Sequence, residues 1–74
     1  SHAKTTVHVN VLNVRDRPST VGTVVAQYSK GEYFYYDSIV AKDNYHWCHY
    51  RSFNGQDRYV ALGEVNGDMY VSFS

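Results

Sequence analysis

The eight residues Tyr45–Ser52, YHWCHYRS, hold two of the four histidines, the only cysteine and the only tryptophan of the 74-residue chain. A thiol flanked by imidazoles is raw material for two chemistries: metal ligation by sulfur and nitrogen, or nucleophilic attack by a Cys with a His base. Strand geometry argues against both. On a strand Tyr45, Trp47, His49 and Arg51 point one way, and His46, Cys48, Tyr50 and Ser52 point the other. Cys48 and His49 therefore cannot bind one ion together. His46 and Cys48 share a face, but two donors are not a zinc site, and neither His2 nor His8 has a spacing that completes it. A nucleophile would also need an orienting third group, a cleft and an oxyanion hole, which a chain this short rarely builds. Cys48 reads as a small core hydrophobe. The expectation is a strand, with no catalytic residue, no metal and no cofactor.

The elements that position this strand are themselves strands. No stretch shows the 3.6-residue period of an amphipathic helix, whereas alternation at period 2 recurs. Val7, Val9 and Val11 share one face, and the phase slips at Val11-Leu12, which predicts a bulge or a bend between sheets. RDRPSTVG is a polar loop punctuated by Pro18 and Gly22. TVVAQY is a short strand and SKG a turn. EYFYYDSIVAK is the longest strand candidate, kinked at Asp37-Ser38. Asp43-Asn44 turns the chain into the Cys48 strand. Asn54-Gly55 is the strongest hairpin signal, and RYVALG and MYVSF follow it. The pattern predicts an all-β fold, a small barrel of five to six antiparallel strands. Its expected core is Val7, Val9, Leu12, Val14, Val25, Phe34, Ile39, Cys48, Val60 and Val71.

Composition narrows the function classes. A chain of this length has one core to build and so forms one domain. Seven Lys and Arg balance seven Asp and Glu, which argues against nucleic acid and against an anionic membrane surface as partners. A single Cys forms no internal disulfide and leaves the redox compartment unreadable. No run approaches the length of a spanning helix. SHAKTT has the look of a linker end or cloning remnant, so residues 1–6 are assigned to a linker and 7–74 to the domain. The unusual feature is eight tyrosines. Tyr gives contact area and a polar tip at low entropic cost, which suits a binding face; β-rich domains also favour aromatics for packing alone. Composition leaves both readings open.

The motifs, in order, fit a family. LNVRDRPST followed by GTVVAQYSKGE resembles the opening of bacterial SH3 (SH3b) domains. The second half resembles the cell-wall targeting domains of lysostaphin-like peptidoglycan hydrolases and Gram-positive phage endolysins. It carries their Tyr36-Asp37 strand, Trp47 with Tyr50, and Asn54-Gly55-Gln56 with Arg58-Tyr59. The resemblance covers about residues 7–74. It implies an SH3-like barrel that grips the peptide stem or cross-bridge of peptidoglycan and anchors a covalently linked catalytic domain to the wall. It further implies a monomer that is secreted, wall-associated or, in a phage endolysin, released from the host cytoplasm. By position it implies ligand contacts at Tyr36, Ser38, Val40, Tyr45, Tyr59 and Tyr70; Trp47 is a further candidate contact, or else covers the outer face of the sheet. Tyr36, Tyr45 and Tyr59 would line a shared shallow trough. Ser38 stands where lysostaphin-like members carry an acidic residue and Val40 where they carry Met, which weakens the case for pentaglycine specificity. Arg15, Asp16 and Arg17 are read mainly as a solvated loop. The alternatives are an SH3-like module for proline-rich or intraprotein peptides, and a spacer that packs on a neighbouring domain.

Overall fold

Segments rich in Val, Tyr, Phe and Thr fit a pleated, half-buried surface better than a helix. The computed structural model describes residues 3–74, and among them the regular structure is all β. Eight strands follow one another: β1 (Ala3–Val7), β2 (Val11–Arg15), β3 (Val24–Ser29), β4 (Tyr33–Tyr36), β5 (Ser38–Lys42), β6 (Tyr45–Arg51), β7 (Asp57–Glu64) and β8 (Val71–Phe73). They form a three-stranded sheet, β4-β1-β8, and a five-stranded sheet, β3-β2-β7-β6-β5. Every strand pair is antiparallel.

The all-β expectation holds, and the count of eight has a physical origin. The phase slip at Val11-Leu12 is a change of sheet: β1 lies in the small sheet and β2 in the large one. The kink at Asp37 does the same for β4 and β5. Two long segments are thus each cut into two strands, which lets the two small sheets enclose one core.

The linker boundary needs correction. β1 starts at Ala3 and runs between β4 and β8 at the centre of its sheet, with Thr5 fully buried. Residues 3–6 are therefore part of the fold; Ser1 and His2 lie outside the described residues. The short polar run AKTT has no local apolar pattern, and only pairing with distant strands makes it a strand.

The core contains Val7, Leu12, Val14, Phe34, Cys48, Val60, Leu62 and Val71, with Val9 packed half-buried against it. Val25 and Ile39, expected inside, are 40% and 48% exposed. They lie on β3 and β5, the edge strands of the large sheet, and Val25 is the residue skipped where the β2–β3 register shifts between Val14 and Arg15. Leu62 and Trp47 are buried although neither was in the expected core.

The turns follow the chemistry of their residues. Asp43 (φ 54°) and Asn44 (φ 67°) are both left-handed, the conformation of a tight two-residue hairpin that Asn and Asp tolerate. The Asn54-Gly55 hairpin is present but closes through a longer loop. The Gln56 carbonyl accepts from Ser52 N–H and the Ser52 carbonyl from Gly55 N–H, both at 2.8 Å, and Gly55 takes the left-handed position (φ 83°).

Candidate ligand-binding face

Register defines the outer face of the large sheet. One row crosses it as Ser38, His49, Tyr59 and Arg15, from β5, β6, β7 and β2. The next row is Val40, Trp47 and Ala61, followed by Lys42 opposite Tyr45. Of the expected contacts, Ser38, Val40, Tyr45, Trp47 and Tyr59 therefore share this face, because alternation on β6 sends odd-numbered residues outward.

An open cleft of about 180 Å³ lies at one end of the face. β2 contributes Val11, Leu12, Asn13 and Arg15, β6 contributes Tyr45 and Trp47, and β7 contributes Ala61. Thr20 and Tyr70 complete the rim. Thr20 belongs to a stapled loop. Asp16 and Thr23 exchange bonds across it: Asp16 N–H donates to the Thr23 carbonyl (3.1 Å), and Thr23 N–H donates to Asp16 Oδ1 (2.9 Å). Arg15 Nη1 donates to the Gly22 carbonyl at 2.8 Å. Asp16 and Arg17 are exposed, as expected of a solvated loop, whereas Arg15 ends β2, is half-buried and braces the loop. Tyr70 is fixed through its backbone, donating to the Leu62 carbonyl (2.8 Å) and accepting from His8 N–H (2.9 Å). Burial raises the pKa of its hydroxyl, with Tyr45 and Glu64 adding in the same direction.

Trp47 requires a correction in role. It is 1% exposed, and its indole N–H donates to the Lys42 carbonyl at 2.9 Å. Tyr45 covers it, with ring centroids 5.8 Å apart. Trp47 supports the cleft from below and offers a ligand almost no surface.

The trough expected from Tyr36, Tyr45 and Tyr59 is not a single furrow. Tyr45 rims the cleft. Tyr59 is one row away, its ring 5.0 Å from the imidazole of His49. Tyr36 lies beyond the Asp37 kink, in contact with Phe73 (6.1 Å), and lines a second cleft of about 350 Å³ with Tyr35, Asp37, Tyr50 and Arg51. The kink moves Tyr36 into the other sheet, two residues from Ser38 in sequence yet off the shared face.

Other tyrosines serve packing. Tyr28 stacks on Phe34 at 4.7 Å, and its hydroxyl bonds that of Tyr50 at 2.7 Å. Burial raises the pKa of both hydroxyls. Cys48 is fully buried, and desolvation pushes its thiol up to about 12, which fits a core hydrophobe. Sequence reasoning missed Val11, Asn13, Thr20 and Ala61 at the cleft. Parity on VLNVR could have flagged Asn13 with Arg15; Thr20 comes from a loop whose path no local pattern predicts.

A family model described as a bacterial SH3 domain matches residues 3–62. The chain belongs to the bacterial SH3 domain family. This SH3 domain is 35% identical to part of Ly7917, covering 99% of its own length and 32% of that chain, with a TM-score of 0.83. It thus spans about a third of that protein. The SH3b domain of lysostaphin, the antimicrobial peptidase from Staphylococcus simulans, has been solved as a P4-G5 complex. It is 18% identical with a TM-score of 0.89, over 100% of this chain and 86% of that one. The cell wall binding domain of the Staphylococcal phage 2638A endolysin is 21% identical with a TM-score of 0.86, over 97% and 86%. At these last two identities the likeness establishes the fold. A comparison with curated proteins found no match.

Proposed function

We propose that this domain is a non-catalytic targeting module that binds the peptide stem or cross-bridge of Gram-positive peptidoglycan and anchors a linked hydrolase to the wall. The observation that carries this reading is the aromatic cleft rimmed by Tyr45 and Tyr70 over a buried Trp47, on a fold shared with solved cell wall binding domains. Wall peptides are extended and poor in large side chains, so main-chain hydrogen bonds must supply much of the grip. Aromatic walls exclude water from those bonds, and Asn13, Arg15 and Thr20 supply polar partners at the rim. Ser38, Val40 and Tyr59 extend the face along the sheet, and Tyr36 offers a separate contact at the second cleft. An interface this small binds at roughly micromolar affinity or weaker, and a polymeric wall raises the effective strength by avidity.

The test is sedimentation with purified Gram-positive peptidoglycan. The parent domain is expected in the pellet, and folded Tyr45→Ala and Tyr70→Ala variants in the supernatant, with folding checked by circular dichroism. Retention of both variants on the wall would place the contact elsewhere. Shifts on NMR titration with a polyproline peptide, without wall binding, would favour an SH3-like module for proline-rich or intraprotein peptides.

A further inference from the structure

His49 sits between two carboxylates. Its Nδ1 lies 2.7 Å from Asp37 Oδ1 and its Nε2 lies 2.8 Å from Asp57 Oδ1. An ionised carboxylate only accepts, and a neutral imidazole has one N–H to give. Both bonds exist together only when the ring carries both protons. The two oxygens approach opposite nitrogens, so no single ion could meet all three groups, and among the described residues no set of His, Cys, Asp or Glu side chains is grouped to hold a metal.

We propose that His49 is a positioning residue held as an imidazolium, a proton-dependent strap that ties the bend between β4 and β5 to the hairpin between β6 and β7. Asp37 occupies the bend where the chain changes sheets, and its N–H donates to the His49 carbonyl at 2.9 Å. Asp57 opens β7. The ring is only 17% exposed and packs on Tyr59. The other groups facing the strap are Ser38, whose hydroxyl donates to Asp37 Oδ1 at 2.9 Å, and Arg51, whose Nε lies 3.6 Å from Asp57 Oδ1. Arg15 stands across Tyr59 in the same row. The hydrogen bonds that His49 donates to Asp37 and then to Asp57 raise the His49 pKa, and His49 lowers that of Asp57.

The sign follows from these directions. A His with a raised folded pKa adds stability in full below about 6.5, its unfolded value, and loses it as pH rises through the folded pKa. A depressed Asp adds stability above about 3.9 and loses it as pH falls through its folded pKa. The strap is therefore strongest in mildly acidic solution. As pH rises, loss of the ring proton breaks the hydrogen bond from His49 to one of the two carboxylates and loosens the bend from the hairpin. This behaviour does not depend on what the neighbouring face binds.

The test is an NMR titration of the His49 ring protons in the whole chain from about pH 5 to pH 9, a range that brackets the ordinary histidine value. The midpoint is expected above that value, and Asp37→Asn and Asp57→Asn are each expected to lower it. Thermal unfolding followed over the same range should show a loss of stability at high pH that His49→Gln lacks. A His49 midpoint at or below the ordinary value, or one that neither Asn variant moves, overturns the proposal.

Discussion

At the level of single residues, burial decides which of several possible chemistries a side chain expresses. The reading of Cys48 from strand parity agrees with its fully buried place beside Val60 and Leu62. The thiolate is the reactive form, and a pKa pushed from 9.0 to about 12 lowers its fraction near pH 8 by roughly a factor of a thousand. A thiol reagent such as DTNB is expected to leave the native domain unlabelled at about pH 8 and to label it stoichiometrically in denaturant. Prompt labelling of the native chain would show Cys48 to be accessible. Tyrosine illustrates the opposite lesson. The same side chain caps the core at Tyr28 and Tyr50, pairs edge-on at Tyr33 and Tyr35, and rims a cleft at Tyr45 and Tyr70. Type alone therefore could not say which tyrosines meet solvent. Trp47 makes a related point: alternation puts it on the outer face, yet Tyr45 packs on it and its indole is tied to the Lys42 carbonyl, so that it is buried.

At the level of elements, turn chemistry and periodicity made much of the chain legible. β3, β6, the Asp37 kink and both hairpins fall where alternation and the turn residues put them, because these depend on a few neighbouring residues. One constraint is invisible at that range. Gly63 (φ 156°) forms a bridge with Met69, and a Cβ there would lie 2.8 Å from the Asp68 carbonyl. Backbone oxygen cannot swing aside as a side-chain tip can. Gly63→Ala is therefore expected to cost about 1–3 kcal/mol, read as a lower urea midpoint with an unchanged slope. A midpoint equal to that of the parent would show that the segment before β8 yields freely. Edge position also overrode pattern. Ile39 opposes Cys48 in register yet stays half exposed, because β5 has only one neighbour.

At the level of the whole molecule, stability depends on a strand that reads as a tail. β1 supplies the middle of the three-stranded sheet, and removing it would leave β4 and β8 unpaired with each other and strip Thr5 from the interior. A small sheet without its centre cannot cover the core. Deleting residues 1–6 is expected to abolish the cooperative thermal transition, followed by circular dichroism. An unaltered melting curve would mean that β1 is a decoration after all. The same scale governs the site. The cleft draws on β2, β6, β7, the Asp16–Thr23 loop and the segment before β8, so it is complete only when that segment has docked on the large sheet.

Sequence alone determined the β class, the position of most strands and turns, the core placement of Cys48, and a family signature spread over most of the chain. Each rests on local physics: side-chain alternation, left-handed turn residues and short motifs in fixed order. Tertiary structure decided that residues 3–6 belong to the fold, that Tyr36 leaves the face carrying Tyr45 and Tyr59, that Trp47 is a foundation, and that His49 meets two carboxylates. These depend on which strands become neighbours and on where the chain crosses between sheets. Such pairings join residues tens of positions apart, and no window of sequence contains both partners.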